Sequence, residues 1–330
     1  MSSPKDEFRV LSWNIEHNGV DKDGSTARWD LAMDVLDAIQ PHVLLRQELT
    51  RADRDGQSMV WNEARRLGHH FPFLATATPE SANPTGVYLD YEVCQPTNHY
   101  EHGTKLWHPV CNPVALLKGA TQALSLGSFH LCSWDPATRA TEAKRLTTLG
   151  KPGMAAIIGG DGNSYPHRLN DRTPLPDWSK VEDRSHYEHR TIVRDGKRIS
   201  DTVAHEILCG EHEGHPPVFV DLAYYAATEL GQETALNPTA SLWKTNQGSR
   251  QRIDWVLATP QVAGCLTSLR VVVNDDVIAA SDHPPVLATF SFSALRRVLS
   301  SETAGARVRQ SSAAAGNADA FASFTVEGSA

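Results

Sequence analysis

The stretch AAIIGGDGNSYP, residues 155–166, sets one carboxylate, Asp161, and one carboxamide, Asn163, among three glycines at the end of an apolar run. Residues two apart in an extended chain point the same way, so these two side chains can converge on one ligand. Gly162 is expected to let the backbone approach that ligand, and Gly159 and Gly160 to permit a sharp exit from a sheet. The pattern recurs along the chain. Other strand-like runs finish in Asn14, in Glu48, in His130, in Asp254, and in Asp282 with His283. Carboxylates and carboxamides supply oxygen ligands suited to Mg2+ or Mn2+, and imidazoles exchange protons near neutral pH. The chemistry these types suggest is directed at a metal ion or a phosphate. Taken singly each signal is weak, because an Asp after glycines is commonly a turn residue and a strand-end Glu is commonly solvated. Their joint occurrence carries the reading.

The elements that must position these groups follow from periodicity. Residues 8–14 (FRVLSWN) and 42–48 (HVLLRQE) read as buried strands ending in polar residues. Between them, apolar residues at helical spacing from Thr26 to Ile39 predict a helix stopped by Pro41. A second helix is expected from Ser58 to Leu67, closed by Gly68. Strands are expected near 86–94, 113–118, 123–132 and 153–158, and a helix over 138–149. The polar stretch 164–217 predicts long loops with short elements. A helix over 218–230 and strands over 252–259, 266–274 and 285–292 complete the reading. That order implies an α/β (α+β) domain with largely antiparallel sheets covered by helices, spanning residues 1–299. The Ala/Ser/Gly-biased tail, 300–330, is expected to be disordered.

Composition narrows the function classes. The 330 residues, 40% hydrophobic and 21% charged, suit a soluble globular chain with a sizeable core. No apolar run is long enough to span a membrane, and MSSPKDEFRV lacks the apolar core of a secretory signal. Five scattered cysteines without a CxxC pair suit reduced thiols in a cytoplasm. The formal net charge of −8 disfavours a protein that coats nucleic acid. It does not disfavour a phosphate enzyme whose carboxylates hold metal ions, because those ions supply the positive charge locally.

The series LSWNIEHN, LLRQE, FHL, GGDGN, RIDWVL and SDHPPV resembles the endonuclease/exonuclease/phosphatase superfamily, with its deoxyribonuclease I-like fold, over roughly residues 8–293. The resemblance implies a four-layered α/β sandwich: two packed mixed sheets flanked by helices, with the active site at one rim. It implies Glu48 as the principal Mg2+ (or Mn2+) ligand, with Asn14 at metal or phosphate and Asp282 as a second metal-associated carboxylate. It implies Asp161 to position or deprotonate the attacking water and Asn163 to orient water and phosphate. His283 would contact the scissile phosphate, Asp254 would accept its other N–H, and His130 would stabilise the phosphorane-like transition state. Pro284 and Pro285 restrict the backbone after His283. The chain departs from the family pattern at Glu16, where many members carry Asp, and at Trp255, where Tyr is common. It departs again at Arg46, expected to face outward. The stretch FHLCSWDPATRATEAKRLTTL, with Arg139 and Arg145, is similar to tyrosyl-DNA phosphodiesterase-like members.

Other features compete. In HEILCGEHEGH (205–215), His205, Glu206, Cys209, His212 and His215 imitate a zinc hydrolase, although Gly210, Pro216 and Pro217 oppose a continuous helix. His99 and His102 are candidates to line the cleft, and Trp107, Trp134 and Trp243 to stack on a base or ring. Arg250 and Arg252 are candidates for substrate phosphate. The resulting expectation is a monomeric Mg2+/Mn2+-dependent phosphoesterase acting on DNA, RNA or a small phosphate ester. A catalytically silent binding protein on the same fold would have lost Glu48, Asp161, Asn163, Asp282 or His283, and none is lost.

Overall fold

The computed structural model describes residues 6–168, 172–242 and 249–300, so Trp243 and the tail from 301 onward lie outside the described residues. The strands are β1 (Glu7–Asn14), β2 (Val43–Gln47), β3 (His70–Ala75) and β4 (Thr85–Asp90), then β5 (Cys94–His102), β6 (Val110–Leu117), β7 (Leu124–His130) and β8 (Ala155–Asp161), with β2, β7 and β8 buried at every position. A hairpin of β9 (Thr191–Arg194) and β10 (Lys197–Ser200) follows, then β11 (Val220–Asp221), β12 (Asp254–Ala258), β13 (Leu266–Val271) and β14 (Val286–Ser291). The helices are α1 (Ala27–Ile39), α2 (Ser58–Arg66), α3 (Pro136–Leu146), α4 (Arg184–Arg190), α5 (Val203–Cys209), α6 (Leu222–Glu229), α7 (Pro260–Ala263), α8 (Asp275–Ala280) and α9 (Phe292–Val298).

The strands build two six-stranded mixed sheets, ordered β13-β14-β1-β2-β4-β3 and β11-β12-β8-β7-β6-β5. Their inner faces interdigitate. Phe8, Val10, Val43 and Leu45 of the first sheet share a core with Leu124, Leu126, Ile157 and Val256 of the second. The opposite face of the first sheet, with Leu11, Trp13 and Leu44, packs under α1, α2 and α8. The opposite face of the second, with Phe129, Ala156 and Ile158, packs under α3 and α5. Helix, sheet, sheet and helix make the four layers of an α/β sandwich. Gly159 sits where the sheets approach closely: a Cβ there would lie 2.9 Å from Leu45 Cδ1 and 3.2 Å from Ser12 Cβ.

Strand direction builds the rim. β1 runs parallel to β2 with Asn14 beside Gln47, and β7 runs parallel to β8 with His130 beside Asp161. β12 runs antiparallel to β8, pairing Asp254 with Asp161, and β14 runs antiparallel to β1. The C-terminal ends of four parallel strands and the N-terminal ends of two antiparallel ones therefore meet on one side.

Two local expectations change. The expected strand over 86–94 divides into β4 and β5. The expected helix over 218–230 starts later: Asp221 ends β11 and caps α6, accepting from the amides of Ala223 and Tyr224. β3 carries Pro72 and β5 carries Pro96 beside a register shift; both are edge strands, where a missing N–H is tolerated. The five cysteines are buried and unpaired. Among the described residues no helix is long and apolar enough to cross a membrane.

Candidate active site

Glu48 follows directly on β2 and turns the chain out of the sheet with a left-handed backbone, φ 54°. A non-glycine residue held there is strained, as functional positions often are. Its Oε2 accepts from the His17 amide at 3.0 Å and its Oε1 from Asn14 Nδ2 at 3.2 Å. The same Asn14 nitrogen lies 3.3 Å from Asp161 Oδ2, so one amide spans the two sheets and brings their carboxylates together.

Arg46 supports these groups from beneath, and the outward-facing expectation fails. It is fully buried. Nε meets Glu63 of α2 at 2.8 Å, Nη2 meets Asn18 Oδ1 at 2.8 Å, and Nη1 donates to the carbonyls of Trp13 and Gln47 at 3.1 Å each. Those carbonyls precede Asn14 and Glu48. An arginine in an apolar run gave no sign of its buried partner, Glu63, 17 residues away.

At the end of β8 the glycines have different roles from those expected. A Cβ on Gly160 would fall 1.7 Å from the Phe129 carbonyl oxygen, and one on Gly162 would fall 2.4 Å from the Trp255 ring. They make room for protein rather than for ligand or a sharp exit. Nor is the chain extended past Asp161, because Asn163 has φ 49°. The two side chains converge through a turn in which the Asn163 amide donates to Asp161 Oδ1 at 2.8 Å. Asn163 Nδ2 donates to the Leu131 carbonyl at 2.9 Å, and its Oδ1 accepts from Arg190 Nη2 at 2.6 Å. Arg190, at the end of α4, was not singled out from sequence; it lies 27 residues beyond Asn163 in a stretch without clear periodicity.

His283 completes the cluster. Its Nδ1 meets Asp254 Oδ2 at 2.8 Å and its Nε2 lies 3.9 Å from Asp161 Oδ2. Trp13 Nε1 donates to the His283 carbonyl at 2.7 Å, and Ser281 Oγ donates to the Asn14 carbonyl at 2.8 Å, fastening this loop to β1. Burial alone would push the imidazole's pKa down, but the negative charge of Asp254, then of Asp161 and Asp282, holds it well above the usual histidine range. Asp282 is half-buried beside it. His130 Nε2 lies 3.7 Å from Asp161 Oδ2. Its ring stacks on His108 at 4.1 Å, a second residue sequence reading missed. Burial, and then the neighbouring His130, pushes His108 down to about 2, so it is neutral. Glu142 of α3 accepts from the amides of Trp107 (2.6 Å) and Cys132 (2.7 Å), tying together the loops that carry these two histidines.

Several candidates fall elsewhere. Arg252 does not face a substrate: it is 2% exposed and bound to Asp221 at 2.7 and 3.3 Å, a buried pair under α6. Arg250 stands exposed ahead of β12. Arg139 is buried among Asp201, the Cys132 carbonyl and the His189 carbonyl. His99 packs on Phe73, and His102 lies near Asn112, within edge strand β5 rather than a loop. The zinc reading of 205–215 also fails. α5 ends at Cys209, His205 meets Asp221 (3.1 Å) and His167 (2.8 Å), and His212 meets the Glu206 carbonyl at 3.0 Å. Trp107 and Trp134 form an edge-to-face pair at 5.2 Å. Trp107 and Asp135, the residue after the exposed Trp134, line an open cleft of about 830 Å³, with Lys105 and the start of α3.

The donors fit a hard divalent cation. Glu48 and Asp161 offer carboxylate oxygens on one amide, and the Asn14 Oδ1 is buried with no hydrogen-bond partner. Asp161, Asp254 and His283 also lie within 4.8 Å of one another, but Asp254 and His283 already satisfy each other, leaving Asp161 as that trio's free ligand.

No protein-family model and no curated protein sequence matches the chain. Solved structures do. D. rerio TDP2 complexed with single-strand DNA product is similar at 17% identity and TM-score 0.55, covering 86% of this chain and 98% of that one. An endonuclease/exonuclease/phosphatase from Bacteroides vulgatus gives 13% identity and TM-score 0.59, covering 86% and 98%. The human Nocturnin catalytic domain with bound sulfate gives 14% identity and TM-score 0.53, covering 87% and 94%. The chain thus has the fold of the endonuclease/exonuclease/phosphatase proteins.

Proposed function

From that fold, we propose that the protein is a divalent-metal-dependent phosphodiesterase acting on a nucleotide-containing ester. One observation carries the reading. Asn14, Glu48, Asp161 and Asn163, drawn from both sheets, form one hydrogen-bonded chain on one rim, and the hydrogen-bonded Asp254–His283 pair sets His283 Nε2 3.9 Å from Asp161 Oδ2. A Mg2+ or Mn2+ ion held by Glu48 and Asn14, with Asp282 nearby, would polarise a phosphoryl oxygen and offset the charge that develops on it. Asp161 takes the proton of the attacking water as the new P–O bond forms, and Asn163 orients that water. His283, kept protonated by Asp254, donates from Nε2 to a phosphoryl oxygen while the bond to the leaving oxygen breaks on the opposite side. His130, steadied by neutral His108, faces the same oxygens.

The Trp107–Trp134 pair and Lys105, reached through the loops carrying His108 and His130, suit a base and its phosphate. The DNA product in the TDP2 structure favours the same substrate class. The test is hydrolysis of 5′-modified single strands, a plasmid and small phosphate mono- and diesters, with Mg2+, Mn2+ or EDTA, by wild type, Glu48→Gln and Asp161→Asn. Metal-dependent turnover lost in both variants is expected. Turnover that survives EDTA or Asp161→Asn refutes the assignment.

A further inference from the structure

Arg190 has no part in the chemistry proposed so far. Arg190 ends α4 and sends Nη2 to Asn163 Oδ1 at 2.6 Å. Its Nη1 is buried and has no hydrogen-bond partner. Among the described residues it makes no ion pair, whereas the neighbouring Arg139 is saturated by Asp201 and two carbonyls. The residue as a whole is half-buried, but the enclosed Nη1 meets neither water nor an acceptor, and a charged donor left unsatisfied is costly. Asp161 is near enough for its charge to act on Arg190 but forms no ion pair with it. Its Oδ1 accepts the Asn163 amide and its Oδ2 faces Asn14, His130 and His283.

We propose that the missing counter-ion of Arg190 is the substrate's phosphoryl group, one of whose non-bridging oxygens accepts from Nη1 while Nη2 holds Asn163. The planar guanidinium carries both bonds in one fork, a geometry an ammonium cannot reproduce. The Asn163 carboxamide, clamped between the Leu131 carbonyl and Arg190, keeps one N–H of Nδ2 to offer. The inference deepens the phosphodiesterase reading and rests on it for the identity of the anion.

The test uses the full chain at fixed ionic strength and fixed Mg2+. Inorganic phosphate binding is titrated by calorimetry for wild type, Arg190→Gln, Arg190→Ala and Arg190→Lys. Arg194→Gln is the control, since Arg194 pairs with Glu206 at the surface. Arg190→Gln should weaken phosphate at least tenfold, and Arg194→Gln should not. On a diester the wild type turns over, Arg190→Gln should lose about a hundredfold in kcat, the typical cost of one transition-state donor. Added guanidinium at millimolar levels should restore part of the rate of Arg190→Ala, with Arg190→Lys remaining well below wild type. Wild-type phosphate affinity in Arg190→Gln overturns the proposal. So does a rate loss in Arg190→Ala that guanidinium cannot relieve, which would leave a purely structural role. If wild type turns over no diester, the phosphodiesterase reading falls while the phosphate titration still decides Arg190.

Discussion

Replacing Arg46 with methionine tests whether the site is built on a buried polar frame. The substitution keeps an unbranched apolar stem and removes the guanidinium from four oxygens: Glu63, Asn18 Oδ1, and the carbonyls of Trp13 and Gln47. Both members of the ion pair are essentially without solvent contact, at 0% and 1% exposure, so Glu63 would be stranded as an unpaired charge. Breaking such a pair from one side costs about 3–5 kcal/mol. A value near 4 kcal/mol is expected for Arg46→Met in urea unfolding, read from the midpoint at constant slope. Adding Glu63→Leu removes the stranded charge but leaves three oxygens without their donor. The double variant should therefore recover roughly half the Arg46→Met loss and fall well short of the sum of the two single losses. Metal-dependent activity should fall further than stability, because the freed carbonyls belong to the residues just before Asn14 and Glu48. An Arg46→Met chain within 1 kcal/mol of wild type would refute the reasoning, and so would additive losses in the double variant.

Asp254→Asn removes the largest charge that raises the pKa of His283, so imidazolium should be lost at lower pH. The alkaline limb of the pH–rate profile should shift down, with kcat reduced about 10²- to 10⁴-fold; an unmoved limb counts against the pairing. Gly160→Ala places a methyl on the Phe129 carbonyl and must part β7 from β8, so a loss of about 3 kcal/mol or more is expected in thermal or urea unfolding. Burial pushes Glu142 up to about 7 despite its two backbone donors. A carboxyl whose folded pKa is raised holds its proton in the native state while the unfolded chain has released it, so stability falls as pH rises from about 4.5 to about 7 and then levels. Glu142→Gln should flatten that slope, and a variant with the wild-type pH profile of unfolding would contradict the assignment.

Much of this architecture was legible because strand ends and strand polarity are written locally. FRVLSWN and HVLLRQE show the apolar runs of buried strands and their terminal Asn14 and Glu48, and β8 announces Asp161 through its glycines. Other features were not legible, because they depend on partners far away in the chain. Arg46 and Arg252 look like surface or substrate arginines until Glu63 and Asp221 are brought to them. Arg190 and His108 enter the cluster from a loop-rich segment and from beyond a turn, where no periodicity marks them. The glycines were noticed for the right place and the wrong reason: what crowds them is Trp255 and Phe129, residues of the neighbouring strands.

The first sheet contributes Asn14, Glu48 and His283 to the rim, and the second contributes His130, Asp161, Asn163 and Asp254. The distance across the reacting centre is thus the spacing of two slabs, set partly by Gly159 meeting Leu45 and Ser12. Such a centre behaves like a calliper whose hinge is the hydrophobic interior. A methyl added or removed at Leu45, Val10 or Ile157, far from any proton or phosphate, alters the gap between the jaws. Catalytic rate becomes a finer gauge of core packing than melting temperature, and mildly repacked interiors should be silenced while still well folded.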